Sequence, residues 1–189
     1  MTETDENVIE IVLNGNRNAY TTLVDRYKDK VFSLVFGVLK DYELAQEVSQ
    51  DVFVKAYSSL KKFRKDSSFS TWIYRISYNT AISETRKRKF ERVQFDDNIL
   101  VGVSQESTEE INEGLRKEGE QEQLNKAISD LKADEKFIIN LYYFEEKPIS
   151  EISEITGLGQ SNIKVKLHRL RKKLKSLISE INKSELVLY

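Results

Sequence analysis

Gln160, Ser161, Asn162, Lys164 and Lys166 fall within two helical turns of one another, in a stretch with no acidic residue before Glu180. A carboxamide presents a donor beside an acceptor and suits the edge of adenine, while an ammonium suits the paired acceptors of guanine. Arg169, Arg171 and Lys172 follow, further along, where they are better placed for phosphate oxygens. Residues 160–176 hold seven basic side chains and no acidic one. A basic helix alone is an ordinary solvated surface. Here Pro148 and Gly157 punctuate the residues before it as a short helix and a tight turn, which favours binding in a major groove. His168, the single histidine, is expected at the surface or facing a phosphate.

A second set lies in residues 61–92, with ten basic side chains against three acidic ones. Phe63, Arg64, Lys65, Ser67, Ser68 and Phe69 lead into Trp72, Tyr74, Arg75, Tyr78 and Asn79, and then into Arg86, Lys87, Arg88 and Lys89. Aromatic faces beside cations suit unstacked bases on a single strand. The same rings also suit a core. That reading is accepted for Trp72, whereas both stay open for Phe63, Phe69 and Tyr78.

Bond-making chemistry finds little support. One His, no Cys and no glycine-rich phosphate loop assemble no catalytic site, thiolate metal site or cofactor site. The absence of Cys fits a reducing compartment, and no apolar run is long enough to span a bilayer, so a cytoplasmic protein without membrane insertion is expected. The net charge of −1 hides a segregation: residues 93–122 carry nine acidic side chains against Arg116 and Lys117. Two basic surfaces are thus separated by an acidic tether.

Seven glycines and one proline predict an all-α chain. A first helix spans about Val8–Asn14 and stops at Gly15. A second starts near Arg17, with Leu23, Tyr27, Val31, Leu34 and Val38 at helical spacing. A third runs from Tyr42 to about Phe63 on Ala45, Val48, Val52, Ala56 and Leu60. Ser68 or Ser70 is the expected cap of a fourth, over Thr71–Lys89. Periodicity lapses over 93–119, a flexible acidic linker, and resumes near Glu120 with Leu124, Ala127, Ile128 and Leu131, then Phe137, Ile138, Leu141 and Tyr142. A helix at Ile149–Thr156 and a long one over Gln160–Ile181 complete the pattern, the latter buried through Ile163, Leu167, Leu170 and Leu174. Two helical domains, 8–92 and 120–182, follow.

The segment Asp66-Ser-Ser-Phe-Ser-Thr-Trp-Ile-Tyr-Arg-Ile-Ser-Tyr-Asn-Thr-Ala81 closely resembles the second conserved region of extracytoplasmic-function sigma factors, the small members of the bacterial sigma-70 family. So does Ala45-Gln-Glu-Val-Ser-Gln-Asp-Val-Phe-Val-Lys-Ala-Tyr57. Gly157-Leu158, Ile163-Lys164, Leu167-His168-Arg169 and Arg171-Lys172-Lys173-Leu174 resemble the fourth region of the same family. The resemblance covers nearly the whole chain in the right order.

It implies a protein that binds core RNA polymerase and promoter DNA, with an anti-sigma factor as the usual restraining partner. Glu47, Gln50 and Asp51, spaced to share one helical face, would meet the clamp coiled coil of the largest catalytic subunit. Phe63, Arg64, Lys65, Ser67, Ser68, Phe69, Arg75, Tyr78, Asn79, Arg86 and Arg88 would serve the minus-ten element, where one non-template base is flipped out. Gln160, Ser161, Asn162, Lys164, Lys166, Arg169 and Arg171 would serve the minus-thirty-five element as duplex. In family members the acidic linker runs through polymerase channels used by nucleic acid. Two departures stand out: Gly159 where many relatives place Ser, and Ser161-Asn162 where Gly-Thr is more usual. The rival reading is a stand-alone helix-turn-helix regulator with an amino-terminal sensory domain, which leaves the aromatic–basic helix without a task.

Overall fold

A computed structural model describes residues 3–96 and 131–186. Every regular element among them is helical. Helix α1 spans Asp5–Leu13 and begins ahead of Val8 because the Thr4 hydroxyl accepts from the Asn7 amide, 3.4 Å away. Asp5 then ties the helix down, accepting from Arg26 at 2.7 Å and from the Tyr27 hydroxyl. A turn of 3-10 helix at Arg17–Ala19 leads into α2, Tyr20–Leu39.

The corner between α2 and α3 takes two residues. Lys40 adopts a left-handed φ of 55°, and the Asp41 carboxylate accepts from the Leu44 amide at 3.0 Å to start α3, Tyr42–Ser59. A 3-10 turn over Leu60–Lys62 and the loop after it carry the chain to α4, Phe69–Asp96. Ser68 is its cap, accepting from the Thr71 amide at 3.2 Å, as expected. The helix runs past Lys89 and into the first residues assigned to the linker. No glycine or proline lies between Phe69 and Gly102 to stop it. The remainder of the expected linker, and the expected helix around Leu124, lie outside the described residues.

In the second unit α5 spans Ala133–Ile139 and widens into one π turn at Asn140–Phe144, where the Glu145 amide reaches back to the Asn140 carbonyl at 3.0 Å. Helix α6 spans Ile149–Thr156 and α7 spans Gln160–Leu186.

The two units share one core. Val8, Leu23, Val31, Leu34, Val52, Ile73 and Tyr74 lie in the same buried cluster as Phe137, Ile138, Leu141, Ile152, Ile155, Ile163 and Leu167. Helix α6 packs on α4, and α5 packs on α2 and α4. Burial of this apolar surface is the main force holding the units together.

Candidate nucleic-acid interface

Helix α6 ends where Gly157 turns left-handed at φ 72°, its amide bonded to the Ser153 carbonyl at 2.9 Å. Two local bonds brace the turn: the Ser153 hydroxyl donates to the Leu158 carbonyl at 2.6 Å, and the Leu158 amide donates to the Thr156 hydroxyl at 3.3 Å. Leu158, in the turn between the two helices, is half-buried against the core. Gly159 leaves α7 without a side-chain cap, but its carbonyl accepts the Ile163 amide at 3.1 Å.

Ile163, Leu167 and Leu170 hold α7 by its buried side. Gln160, Ser161, Asn162, Lys164 and Arg169 are exposed on the others. Two residues of the expected set are engaged within their own unit. Lys166 is half-buried and donates to Asp134 at 2.8 Å. Arg171 donates to the Tyr143 hydroxyl at 2.8 Å and lies over the Tyr142 ring, 5.6 Å from its centroid.

On the first unit Asn79 is exposed at the lip of an open cleft of about 320 Å³, with Lys55, Ser59, Ile76, Thr80 and Ser83 around it. Lys55 reaches from α3 to within 3.4 Å of the Thr80 hydroxyl. Neither Lys55 nor Ser59 stands out in the sequence, because only the packing of α3 on α4 sets them beside Asn79. Their one signal is a spacing of four, which puts them on a common helical face.

Arg75 and Arg86 are exposed on α4. The loop before it is pinned at Lys65, which adopts φ 61° and pairs with Glu10 at 2.6 Å. That ammonium holds the Glu10 carboxyl below its ordinary value. Arg64 pairs with Asp66 at 3.2 Å in the open, with Ser67 and Ser68 following. Arg88 bonds Asp41 at 3.0 Å. The Leu44 amide and then this guanidinium hold the Asp41 carboxyl low.

The aromatic residues divide. Phe69 is 1% exposed, with Tyr27, Phe63 and Trp72 rings 5.4, 6.0 and 5.7 Å from its own. It is core in this arrangement. Phe63 is half-buried against Trp72. Tyr78 is half-buried with its ring edge-on to Phe137 of the second unit at 5.2 Å. Its phenol pKa is raised, first by burial and then by the Asp134 carboxylate. Glu47, Gln50 and Asp51 are exposed on α3, beside the buried Val48 and Val52. Among the described residues no group of carboxylates and His could hold a metal ion, and no helix is long and apolar enough to cross a membrane.

Two helical units, each with an exposed surface of cations and amides and one of them a helix-turn-helix, define a two-part DNA-binding protein. Residues 23–91 match the family description "Sigma-70 region 2", and residues 121–174 match "Sigma-70, region 4". The chain is 29% identical to the ECF RNA polymerase sigma factor SigW of Bacillus subtilis, over 92% of this chain and 96% of that one. It is 30% identical to the ECF RNA polymerase sigma-E factor of Haemophilus influenzae, over 94% and 97%. Among solved structures, the sigma factor RpoE of Bartonella quintana, in complex with the anti-sigma factor NepR, superimposes with a TM-score of 0.66 at 21% identity, covering 85% of this chain and 96% of that one. The chain therefore belongs to the sigma-70 family, in its extracytoplasmic-function (ECF) branch of RNA polymerase sigma factors.

Proposed function

We propose that this sigma factor carries promoter recognition in two separate places, with residues 8–92 reading the minus-ten element and residues 120–182 the minus-thirty-five element. The observation behind this is the pairing of the Asn79 cleft on α4 with the exposed amino-terminal face of α7. The cleft has an amide at its rim, an ammonium from Lys55 and open access, features that suit an unstacked base followed by a phosphate. In this reading Arg64, Lys65, Arg75, Arg86 and Arg88 serve as backbone contacts, with Ser67 and Ser68 in the loop. At the other end Gln160, Ser161, Asn162 and Lys164 approach base edges, and Arg169 and Arg171 hold the duplex backbone.

Core RNA polymerase is the partner that brings both halves to one promoter, with Glu47, Gln50 and Asp51 as its docking face on α3. An anti-sigma factor is a second partner in this reading, on the analogy of the complexed relative. The protein does no bond-making chemistry of its own, needs no cofactor, and works in the cytoplasm.

Transcription by core polymerase on a promoter library tests this, with the wild type compared against Asn79→Ala and Lys164→Ala. Asn79→Ala is expected to impair formation of open complexes, and Lys164→Ala to weaken upstream recognition. Wild-type behaviour of both variants refutes the residue assignments. Tight binding of the purified protein to an inverted repeat without polymerase favours the stand-alone regulator instead.

A further inference from the structure

A second cleft, of about 380 Å³, opens on the first unit between the end of α1, the 3-10 turn after it and the end of α3. Its floor is apolar, with Val12 and Leu60 buried. Leu13 and Tyr57 line it as well, yet both stay exposed although they are large and apolar. The Tyr57 ring is set edge-on to Tyr20 with 5.0 Å between centroids, and the Tyr20 hydroxyl donates to the Phe53 carbonyl at 2.9 Å. Arg17, Ser58 and Lys61 complete the lining, all of them exposed. Neither cation makes an ion pair among the described residues, and no residue of the lining is acidic.

The corner that frames the cleft is well braced. The Asn14, Gly15 and Asn16 amides donate to the Glu10, Val12 and Ile11 carbonyls at 2.9, 3.1 and 3.2 Å. Gly15 takes a left-handed φ of 109°, and nothing lies within 4 Å of where its Cβ would stand, so the cleft is open on that side. A fixed aromatic face, an apolar floor and two unpaired cations suit a flat ring that carries phosphate. The position of the cleft points the same way. Glu10, one turn before Leu13 on α1, pairs at 2.6 Å with Lys65 of the loop ahead of α4. Tyr57 stands about 200° around α3 from Lys55, so this cleft and the Asn79 cleft flank the same end of α3. The loop over residues 63–68 leaves from that end.

We propose that this cleft holds a second unstacked base of the melted promoter strand, beyond the one held at the loop. Tyr57 stacks on the base, Val12, Leu13 and Leu60 shield its ring from water, and Arg17 and Lys61 hold the phosphates on either side. The proposal rests on the two-site reading above and adds to it residues that the reading does not use. A strand that lays one base against Asn79 and then passes the loop comes next to this cleft.

The full chain with core polymerase is bound to a promoter recovered from the library and pre-melted by mismatches around the minus-ten element. One base of the non-template strand at a time is replaced by an abasic site. A single abasic position beyond the loop-held base is expected to weaken wild-type binding at least about fivefold, as the loss of one base–aromatic stack does. Tyr57→Ala should bind the intact strand more weakly by a similar factor and lose its response to that one position only, while Tyr57→Phe should behave as wild type. Arg17→Gln and Lys61→Gln together should flatten the slope of log affinity against log salt by about 1.4, for two single-strand phosphates at about 0.7 each.

If Tyr57→Ala responds as wild type does at every position, the second base site is overturned, whether the cleft then takes an acidic peptide or nothing. The two-site reading survives that result when Asn79→Ala still impairs open complexes. A wild type that directs no transcript from any library member overturns the reading and this inference together. Should Tyr57→Ala lose its helical circular dichroism, the variant changed at Arg17 and Lys61, both exposed positions, decides. An unchanged salt slope then overturns the proposal.

Discussion

Gly37 offers a direct measure of how firmly the second unit sits on the first. It lies inside α2, where replacing glycine by alanine ordinarily stabilises a helix by about 1 kcal/mol. Here the new Cβ would meet the Asn140 side chain, 1.9 Å from its nitrogen and 3.1 Å from its Cγ. The amide must swing to another rotamer, at about 0.5–1.5 kcal/mol, so the helical gain and the packing loss nearly cancel. Gly37→Ala alone should therefore leave the unfolding free energy within about 0.5 kcal/mol of wild type. On an Asn140→Ala background nothing stands in the way, and the full gain of about 1 kcal/mol should return, raising Tm by about 2–4 °C. The cycle of four proteins, followed by circular dichroism through urea and thermal unfolding, should give a coupling of about 1 kcal/mol, above the roughly 0.3–0.5 kcal/mol scatter of independent sites. If Gly37→Ala gains its full kilocalorie whether or not residue 140 is truncated, the two side chains do not meet in solution and the docked arrangement is refuted.

Other outcomes follow from single contacts. Ser68→Ala removes the cap of α4 and should cost about 1 kcal/mol of stability by urea unfolding, and Ser68→Asp should recover most of it. Tyr74→Phe deletes a hydrogen bond to the Glu145 carboxylate, worth about 1.5–3 kcal/mol, and should lower the stability measured by urea unfolding without loss of helical content. Asp41 has a lowered pKa, so its contribution to stability is full above its ordinary value of 3.8 and disappears as pH falls through the lower folded value. In Arg88→Gln the Asp41 carboxyl, followed by carbon NMR, should titrate closer to 3.8 yet stay below it, because the Leu44 amide, the larger cause, remains.

Local punctuation made much of this fold legible in advance. Ser68 as a cap, Gly157 as a left-handed stop and the stripe Ile163, Leu167, Leu170 all follow from properties of a few adjacent residues. The ends of α4 and α7 were misplaced because a shift from apolar to charged residues does not stop a helix when no glycine or proline breaks it. The docking of the units was not legible. Helical periodicity tells which face of Phe137, Ile138 and Leu141 is buried, but not whether α4 or another helix covers it. Tyr74 and Phe69 show the same limit: an aromatic ring beside cations has one composition whether it awaits a base or fills a core. Asn79 was found through the family resemblance, and its neighbours Lys55 and Ser59 only through tertiary packing.

Tyr78 and Asn79 are consecutive, yet one lies on the second unit and the other opens to solvent. Helix α4 is a single rod of 28 residues, about 42 Å long, and each further residue turns about 100° around its axis. Its two edges are thus written into one string of letters in a fixed phase. Inserting or deleting a single residue within it would swing Arg86 and Arg88 out of line with Asn79 and turn the docking edge away from α6. Point changes on either edge can accumulate separately over time, whereas changes of length cannot. Evolution can retune this helix letter by letter but is barred from resizing it, a freedom retained in the loop ahead of Ser68.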